Sequence, residues 1–465
     1  MIELKQVDFH YGGENGTGDG VDALNLTIAD GEVVVLCGES GCGKTTVTRL
    51  INGLIPHFYE GELLGEVLID GVNVSKAELS DTAKKVGSVF QNPKSQFFNI
   101  DTTGELTFGC ENLGMPREEI GRRLEKTKND LKLSALMNRN IFELSGGEKQ
   151  QIACGSVYAA EPEIFVMDEP SSNLDQKAIR RLHDTLCKMK QAGKTVVISE
   201  HRLHYLMDIA DRFIYLEDGR ITREFSCAEM RQLTYEELSA RGLRCTSVQQ
   251  IPCKAEQAVR QTTPALEVID LSCSRQNARI LDIDRIRLPE HGIVAVIGDN
   301  GCGKSTLAEA VCGLLPSDGT VSFGGAYLDA KQRQKQSYLV MQDVNRQLFA
   351  DSVLEEVMLH ADVTETDAKS TLSALGLGDC TDRHPASLSG GQKQRIAFAR
   401  AILKDAPVIV LDEAAAFVDA ENERKMRRAI AKITQGKTVI VIAHKLRSVQ
   451  DADQIILLDD GQIAA

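Results

Sequence analysis

The stretch Gly38-Glu39-Ser40-Gly41-Cys42-Gly43-Lys44-Thr45-Thr46 follows an unbroken apolar run, Val33, Val34, Val35 and Leu36. It recurs as Gly298-Asp299-Asn300-Gly301-Cys302-Gly303-Lys304-Ser305-Thr306 after Ile293, Val294, Ala295, Val296 and Ile297. Short continuous apolar runs suit strands buried on both faces. Beyond each glycine-rich loop the apolar residues fall at Val47, Leu50, Ile51 and Leu54, and at Leu307, Ala310, Val311 and Leu314, a one-sided helical spacing in the same phase. Strand, loop and helix therefore occur twice in the same order, and the chain reads as two copies of one α/β unit.

The repetition continues downstream. LSGGEKQ at Leu144 to Gln150 returns as LSGGQKQ at Leu388 to Gln394, and MDE at Met167 to Glu169 returns as LDE at Leu411 to Glu413. These second copies lie closer to their own glycine-rich loop than the first copies do, so the middle of the second half is shorter. A chain of 465 residues with 42% hydrophobic residues can bury two cores. The spacing predicts domains over 1–240 and 265–465 joined by a polar linker, 241–264, that includes the poorly periodic CTSVQQIPCKAEQAVRQTTP.

The balance of 53 basic against 67 acidic residues, a net charge of -14, argues against a partner held by nucleic-acid phosphates, and no nucleic acid is the expectation. The start, MIELKQVDFHYGG, shows no leader pattern, and no apolar run is long enough to span a bilayer. A cytoplasmic or peripheral location is the expectation. The 12 cysteines lack zinc-like spacing and read as reduced structural thiols. For Cys42 and Cys302 a second reading exists: a helix N-terminus beside a lysine can lower a thiol pKa, so oxidation there would block nucleotide binding.

The pattern GxxxxGK[ST] between strand and helix is a P-loop, in which backbone N–H groups and the helix dipole cradle phosphates. Lys44 and Lys304 are expected to reach the β- and γ-phosphates, with Thr45 and Ser305 offering hydroxyls to Mg2+. One such loop would equally fit a GTPase, an adenylate kinase or a helicase. The apolar strands EIFVMDE and PVIVLDE deliver acidic pairs to the same edge of the sheet: Asp168 and Asp412 for the Mg2+ shell, Glu169 and Glu413 to polarise the attacking water. His201 and His444, each just past another apolar strand, are candidates for the γ-phosphate.

With LSGGE and LSGGQ added, the chain resembles the ABC ATPase superfamily over nearly its whole length. The resemblance implies two tandem P-loop NTPase domains, each a mainly parallel core sheet with flanking helices, an antiparallel β-subdomain and a helical signature subdomain. It also implies an intramolecular pseudo-dimer with two composite ATP sites: Ser389 and Gly391 would complete the site of Lys44, and Ser145 and Gly147 that of Lys304. Gln91 in VFQNP and Gln342 in VMQDV match the family's Q-loop, near the Mg2+ and the attacking water; Asp175 and Asp419 match its D-loop, and Tyr11 its adenine-stacking aromatic. The second half departs from the pattern, with Arg275 opposite Tyr11 and AAAFVD where the first half has PSSNLD. Two competent but unequal sites are the expectation.

VFQNPKSQFF, the following ELTFGCENLGMP and the histidine loop SEHRL resemble ATPases of energy-coupling-factor importers for vitamins or transition metals, with a weaker echo in VMQDVNRQLFADSVLEEVML. That resemblance implies two partners, a transmembrane coupling protein and a substrate-binding membrane subunit. Two alternatives are a fused sugar-importer ATPase and a non-transport, ribosome-associated ABC protein; the intact Glu413 speaks against the first, and the short linker and acidic charge against the second.

Overall fold

The computed structural model describes residues 1–12, 20–172, 174–247, 265–275, 278–359, 363–412, 436–442 and 452–464. The chain forms two compact units, Met1–Ile251 and Pro252–Ala465.

In the first unit six strands make one sheet: β3 (Val33–Gly38), β6 (Val86–Val89), β7 (Ile164–Asp168), β8 (Thr195–Ser199), β9 (Arg212–Glu217) and β10 (Arg220–Ser226). Their order is β10-β9-β3-β8-β7-β6, parallel throughout except for β10 at the edge. A second, antiparallel sheet has the order β2-β1-β4-β5, from β1 (Ile2–Tyr11), β2 (Gly20–Ile28), β4 (Gly61–Ile69) and β5 (Val72–Asn73). Alternation along the central strands explains the layering, because successive side chains point to opposite faces. Val33, Val35, Phe165, Met167, Val196 and Ile198 face a core shared with Ile152, Leu182 and Leu186 of the helices. Val34, Leu36, Ile164, Val166 and Val197 face the other way, onto Ile2, Leu4 and Phe9 of the antiparallel sheet.

The second unit repeats both sheets. β11 (Leu266–Arg275), β12 (Ala278–Leu288), β14 (Asp318–Phe323) and β15 (Ala326–Tyr327) form the antiparallel one, ordered β12-β11-β14-β15. β13 (Ile293–Ile297), β16 (Ser337–Val340), β17 (Val408–Asp412), β18 (Thr438–Ile442), β19 (Gln454–Asp459) and β20 (Gln462–Ile463) form the other, ordered β16-β17-β18-β13-β19-β20. Each unit also carries a helical portion ending in a long helix, Gly146–Ala159 and Gly390–Lys404. Among the described residues no helix is long and apolar enough to cross a membrane.

One detail differs from the sequence pattern. The helices after the glycine-rich loops end at Ile51 and Val311, short of Leu54 and Leu314. Gly53 (φ 77°) and Gly313 (φ 73°) turn left-handed there and bond back to Leu50 O and Ala310 O, which closes each helix C-terminus. Leu54 instead opens a short turn, and Leu314 is 48% exposed. At the far end of the first unit Leu243 and Thr246 are buried, beyond the last helix, Tyr235–Ala240.

Candidate functional site

The glycine-rich loop of the first unit hangs from the C-terminal end of β3, at the middle of the parallel sheet. Gly38 (φ 149°) cannot carry a side chain: a Cβ would sit 2.2 Å from Leu216 O and 2.7 Å from Cys42 Sγ. Gly43 (φ 99°) is the left-handed residue from which the helix Lys44–Ile51 starts. The Lys44 ammonium is buried, 4% exposed, and Nζ donates to Gly38 O at 3.0 Å and Glu39 O at 2.7 Å. Lys304 repeats this geometry on Gly298 O (3.0 Å) and Asp299 O (2.7 Å). Glu39, Ser40 and Gly41 are exposed on the rim, as are Asn300 and Gly301, while Thr46 is buried beneath it. A fixed cation with helix N–H groups beside it is suited to a polyphosphate.

β7 ends beside this loop. Thr45 Oγ1 donates to Asp168 Oδ1 at 3.1 Å, and Ser199 Oγ, at the end of neighbouring β8, donates to the same oxygen. Burial pushes the Asp168 carboxyl above its usual range against the pull of these two hydroxyls. The next residue, Glu169, takes a left-handed backbone (φ 42°) with its N–H on Ser199 O at 2.9 Å. Its carboxylate meets Gln91 Nε2 at 2.9 Å through one oxygen and His201 Nε2 at 3.1 Å through the other. Burial raises the Glu169 pKa, but the hydrogen bond and charge of His201, with the charges of Lys44 and Arg244, outweigh it and hold the carboxyl below the ordinary glutamate range. Adjacent carboxyls pushed in opposite directions are set for different tasks. Gln91, Glu169 and His201, singled out separately in the sequence, thus converge on one point.

Tyr11, at the end of β1, lies in contact with the loop: its hydroxyl is 3.3 Å from Thr46 Oγ1 and accepts from Arg49 Nη1 at 2.9 Å. The Arg49 guanidinium also sits 4.1 Å from the centre of the Tyr59 ring. Ser145 and Ser389 start their helices through reciprocal caps with Glu148 and Gln392. A Cβ at Gly147 would lie 2.9 Å from Ala178 Cβ, so that helix packs closely on its neighbour. Asp175 accepts from Ala178 N at 2.7 Å and caps the helix Gln176–Gln191.

In the second unit Asp412 is buried at the end of β17, Ser305 and Gln342 are exposed, and Arg275 closes β11 opposite Ala278. Glu413, Asp419 and His444, and with them the second carboxylate–histidine arrangement, lie outside the described residues.

The thiol reading needs correction. Burial pushes both the Cys42 and Cys302 thiols up in pKa, and the nearby lysines only partly offset it. Only 5% of Cys42 and 7% of Cys302 is exposed, so both behave as packing residues under the loop. In the intact protein they are expected to be alkylated by iodoacetamide at least about tenfold more slowly than an exposed thiol, read by mass spectrometry over time.

Three contributors were not singled out from the sequence: Ser199, which holds both Asp168 and the Glu169 backbone, and Arg49 and Tyr59 around Tyr11. Only Ser199 had a local signal, as the last residue of the strand that leads to His201.

The chain is similar to known proteins over its whole length. The family model for ABC transporters matches residues 21–172 and 281–416. A protein of Treponema denticola, named by assignment as an ABC transporter ATP-binding protein, is 42% identical over 100% of this chain and 96% of its own length. A protein of Bacillus subtilis, also named by assignment, as an HMP/thiamine import ATP-binding protein, is 29% identical over 100% of this chain and 91% of its own. Among solved structures, the archaeal ribosome recycling factor aABCE1, in complex with the stalk protein aP1, matches with a TM-score of 0.67 at 21% identity, over 98% of this chain and 89% of that one, a likeness of fold. Two P-loops in matching sheets, full-length relatives of one kind and a family model that covers both halves lead to the same place: the chain belongs to the ABC transporter family, as an ATP-binding, ATP-hydrolysing protein with two ABC domains.

Proposed function

We propose that this chain is the ATPase subunit of an importer of the energy-coupling-factor type, for a vitamin or a transition metal. It would work peripherally on the inner face of the cell membrane with a transmembrane coupling protein and a substrate-binding membrane subunit. The observation that carries this reading is the loop that leaves Gln91. Its amide rests on Glu169, and a few residues on, the buried carboxylate of Glu105 takes the N–H groups of Phe98 (3.0 Å) and Asn99 (2.9 Å), leaving the Phe98 ring 74% exposed. The second unit builds the same feature with Glu356, Phe349 and Ala350, and Phe349 is 73% exposed. An apolar ring held outward, a short loop from a catalytic-site glutamine, suits a partner that must sense the nucleotide. The wording of this loop and the import named for the Bacillus relative support the same reading.

Within the first unit the residues divide the work. Lys44 and the loop N–H groups bind and orient the phosphates, and Glu169, ionised and aligned by Gln91 and His201, accepts the proton of the attacking water. His201 holds the carboxylate on one side and offers its ring to the γ-phosphate on the other. Thr45 and Asp168 are hard oxygen donors already in contact, a set that fits Mg2+ completed by phosphate oxygens and water. When bound, Mg2+ would neutralise charge on the phosphates. Ser305 and Asp412 take these places in the second unit, with Gln342, Glu413 and His444 as counterparts of Gln91, Glu169 and His201. The pairing of each P-loop with the other half's signature serine and glycine, Ser389 and Gly391 or Ser145 and Gly147, and the division at a 241–264 linker rest on family resemblance.

Affinity purification of the tagged chain from detergent-solubilised native membranes tests the importer reading. A small polytopic protein with a second membrane subunit is the expected recovery; ribosomal proteins without membrane partners would overturn it.

A further inference from the structure

We propose that Glu200 is a positioning residue that locks the Glu169–His201 pair of the first ATP site. The inference rests on the roles assigned above to Glu169 and His201. Glu200 is 1% exposed, and both carboxylate oxygens are in use. Oε1 accepts from the backbone N–H of His201 at 2.7 Å and of Arg202 at 3.0 Å. Oε2 accepts from the Tyr205 hydroxyl at 2.9 Å and the Ser171 N–H at 3.3 Å. The Glu200 N–H is itself fixed to Leu36 O of β3 at 3.0 Å.

The partners lie on both sides of the chemistry. His201 and Arg202 are the backbone that carries the imidazole, and Ser171 is two residues past Glu169, in the turn that gives Glu169 its direction. Arg202 adds a second tie, from Nη1 to Leu174 O at 2.8 Å, just before Asp175. One buried carboxylate therefore sets the separation between the histidine loop and the turn after Glu169. A buried carboxylate with four donors is costly to disturb, because each donor left behind is stranded away from water. Tyr205 is buried too, and burial with the neighbouring Glu200 charge raises its pKa well above the usual value, so the phenol stays a donor.

The second half has other residues at the matching sequence positions: Ala443 precedes His444, Ser448 stands where the first half has Tyr205, and Ala415 where it has Ser171. Neither the glutamate nor the tyrosine is kept at the matching positions of the sequence, which offers the expected inequality of the two sites a physical origin outside the catalytic residues.

Steady-state ATPase kinetics of the full chain test the lock. Assayed in a Glu413→Gln background so that the second site does not mask the first, Glu200→Gln keeps an acceptor for His201 and Arg202 but turns an amide NH2 toward Ser171 N–H and Tyr205 hydroxyl; kcat is expected to fall about tenfold with KM for ATP within about twofold. Tyr205→Phe, which leaves the carboxylate in place, is expected to lower kcat about threefold, and the double variant to be no worse than Glu200→Gln alone. A folded Glu200→Gln protein with unchanged kcat, or losses in both variants that only track the folded fraction by circular dichroism, would overturn the proposal. Glu169→Gln separates the two levels. If that variant turns over normally, the assignment of Glu169 fails and the lock falls with it; if it is impaired while Glu200→Gln is not, the lock alone fails.

Discussion

A chain carrying Glu169→Gln is expected to bind ATP with nearly unchanged affinity and to lose at least about a hundredfold in turnover at that site. The change removes one negative charge and hardly any volume. Lys44, the loop carbonyls that hold it and the Tyr11–Arg49 contact are untouched, so nucleotide binding has no reason to weaken. What is lost is the proton acceptor. The wild-type carboxylate is ionised because His201 and the lysine outweigh its burial, and an amide in its place can accept a hydrogen bond but no proton. Equilibrium binding of a fluorescent ATP analogue beside phosphate-release rates separates the two effects. The same pair of measurements on Glu413→Gln tests whether both halves turn over, and an unchanged rate in either variant would defeat the expectation of two competent sites.

Glu356→Ala should cost the second unit about 3–5 kcal/mol of stability, the usual penalty for removing one partner of a buried ion pair. Glu356 is fully buried, with Oε1 on Arg400 Nη1 at 2.6 Å and Oε2 on the N–H groups of Phe349 (2.6 Å) and Ala350 (2.7 Å). Alanine would strand two amides and leave a guanidinium that is itself only 13% exposed without its counter-ion, held only by Gln347 O. The first unit supplies the control. Glu105 holds the matching amides of Phe98 and Asn99, but Ser156 stands where the second unit has Arg400, so Glu105→Ala leaves no buried cation behind and should cost about 1–3 kcal/mol. Urea unfolding followed by a probe in each half would rank the two variants, and equal losses would show that the ion pair adds nothing beyond the amide contacts.

The parts of this protein that the sequence made legible are those with a period or a fixed spacing. Unbroken runs such as Val33–Leu36 predict buried strands, and the two copies of each motif predict two units with one topology, as found. Tertiary effects were not readable in that way. Nothing near Gln91 or His201 announces that both end on Glu169, since 78 residues separate Gln91 from it. The apolar spacing ran on to Leu54 because a hydrophobic pattern does not register that Gly53 has already turned the chain. Cys42 illustrates the same limit with opposite sign: the adjacent lysine is visible in the sequence, whereas the burial that outweighs it exists only once the sheet is packed.

The left-handed backbone of Glu169 has a consequence for how this protein can change over time. A side chain other than glycine at φ 42° costs roughly 1–3 kcal/mol, and glycine would relieve it. Glycine there would also release Gln91 and His201 and remove the proton acceptor, so any backbone relief comes with loss of turnover. Selection for turnover thus holds a residue that the local backbone disfavours, and a directed-evolution screen on melting temperature alone has no term that protects the group on which hydrolysis depends.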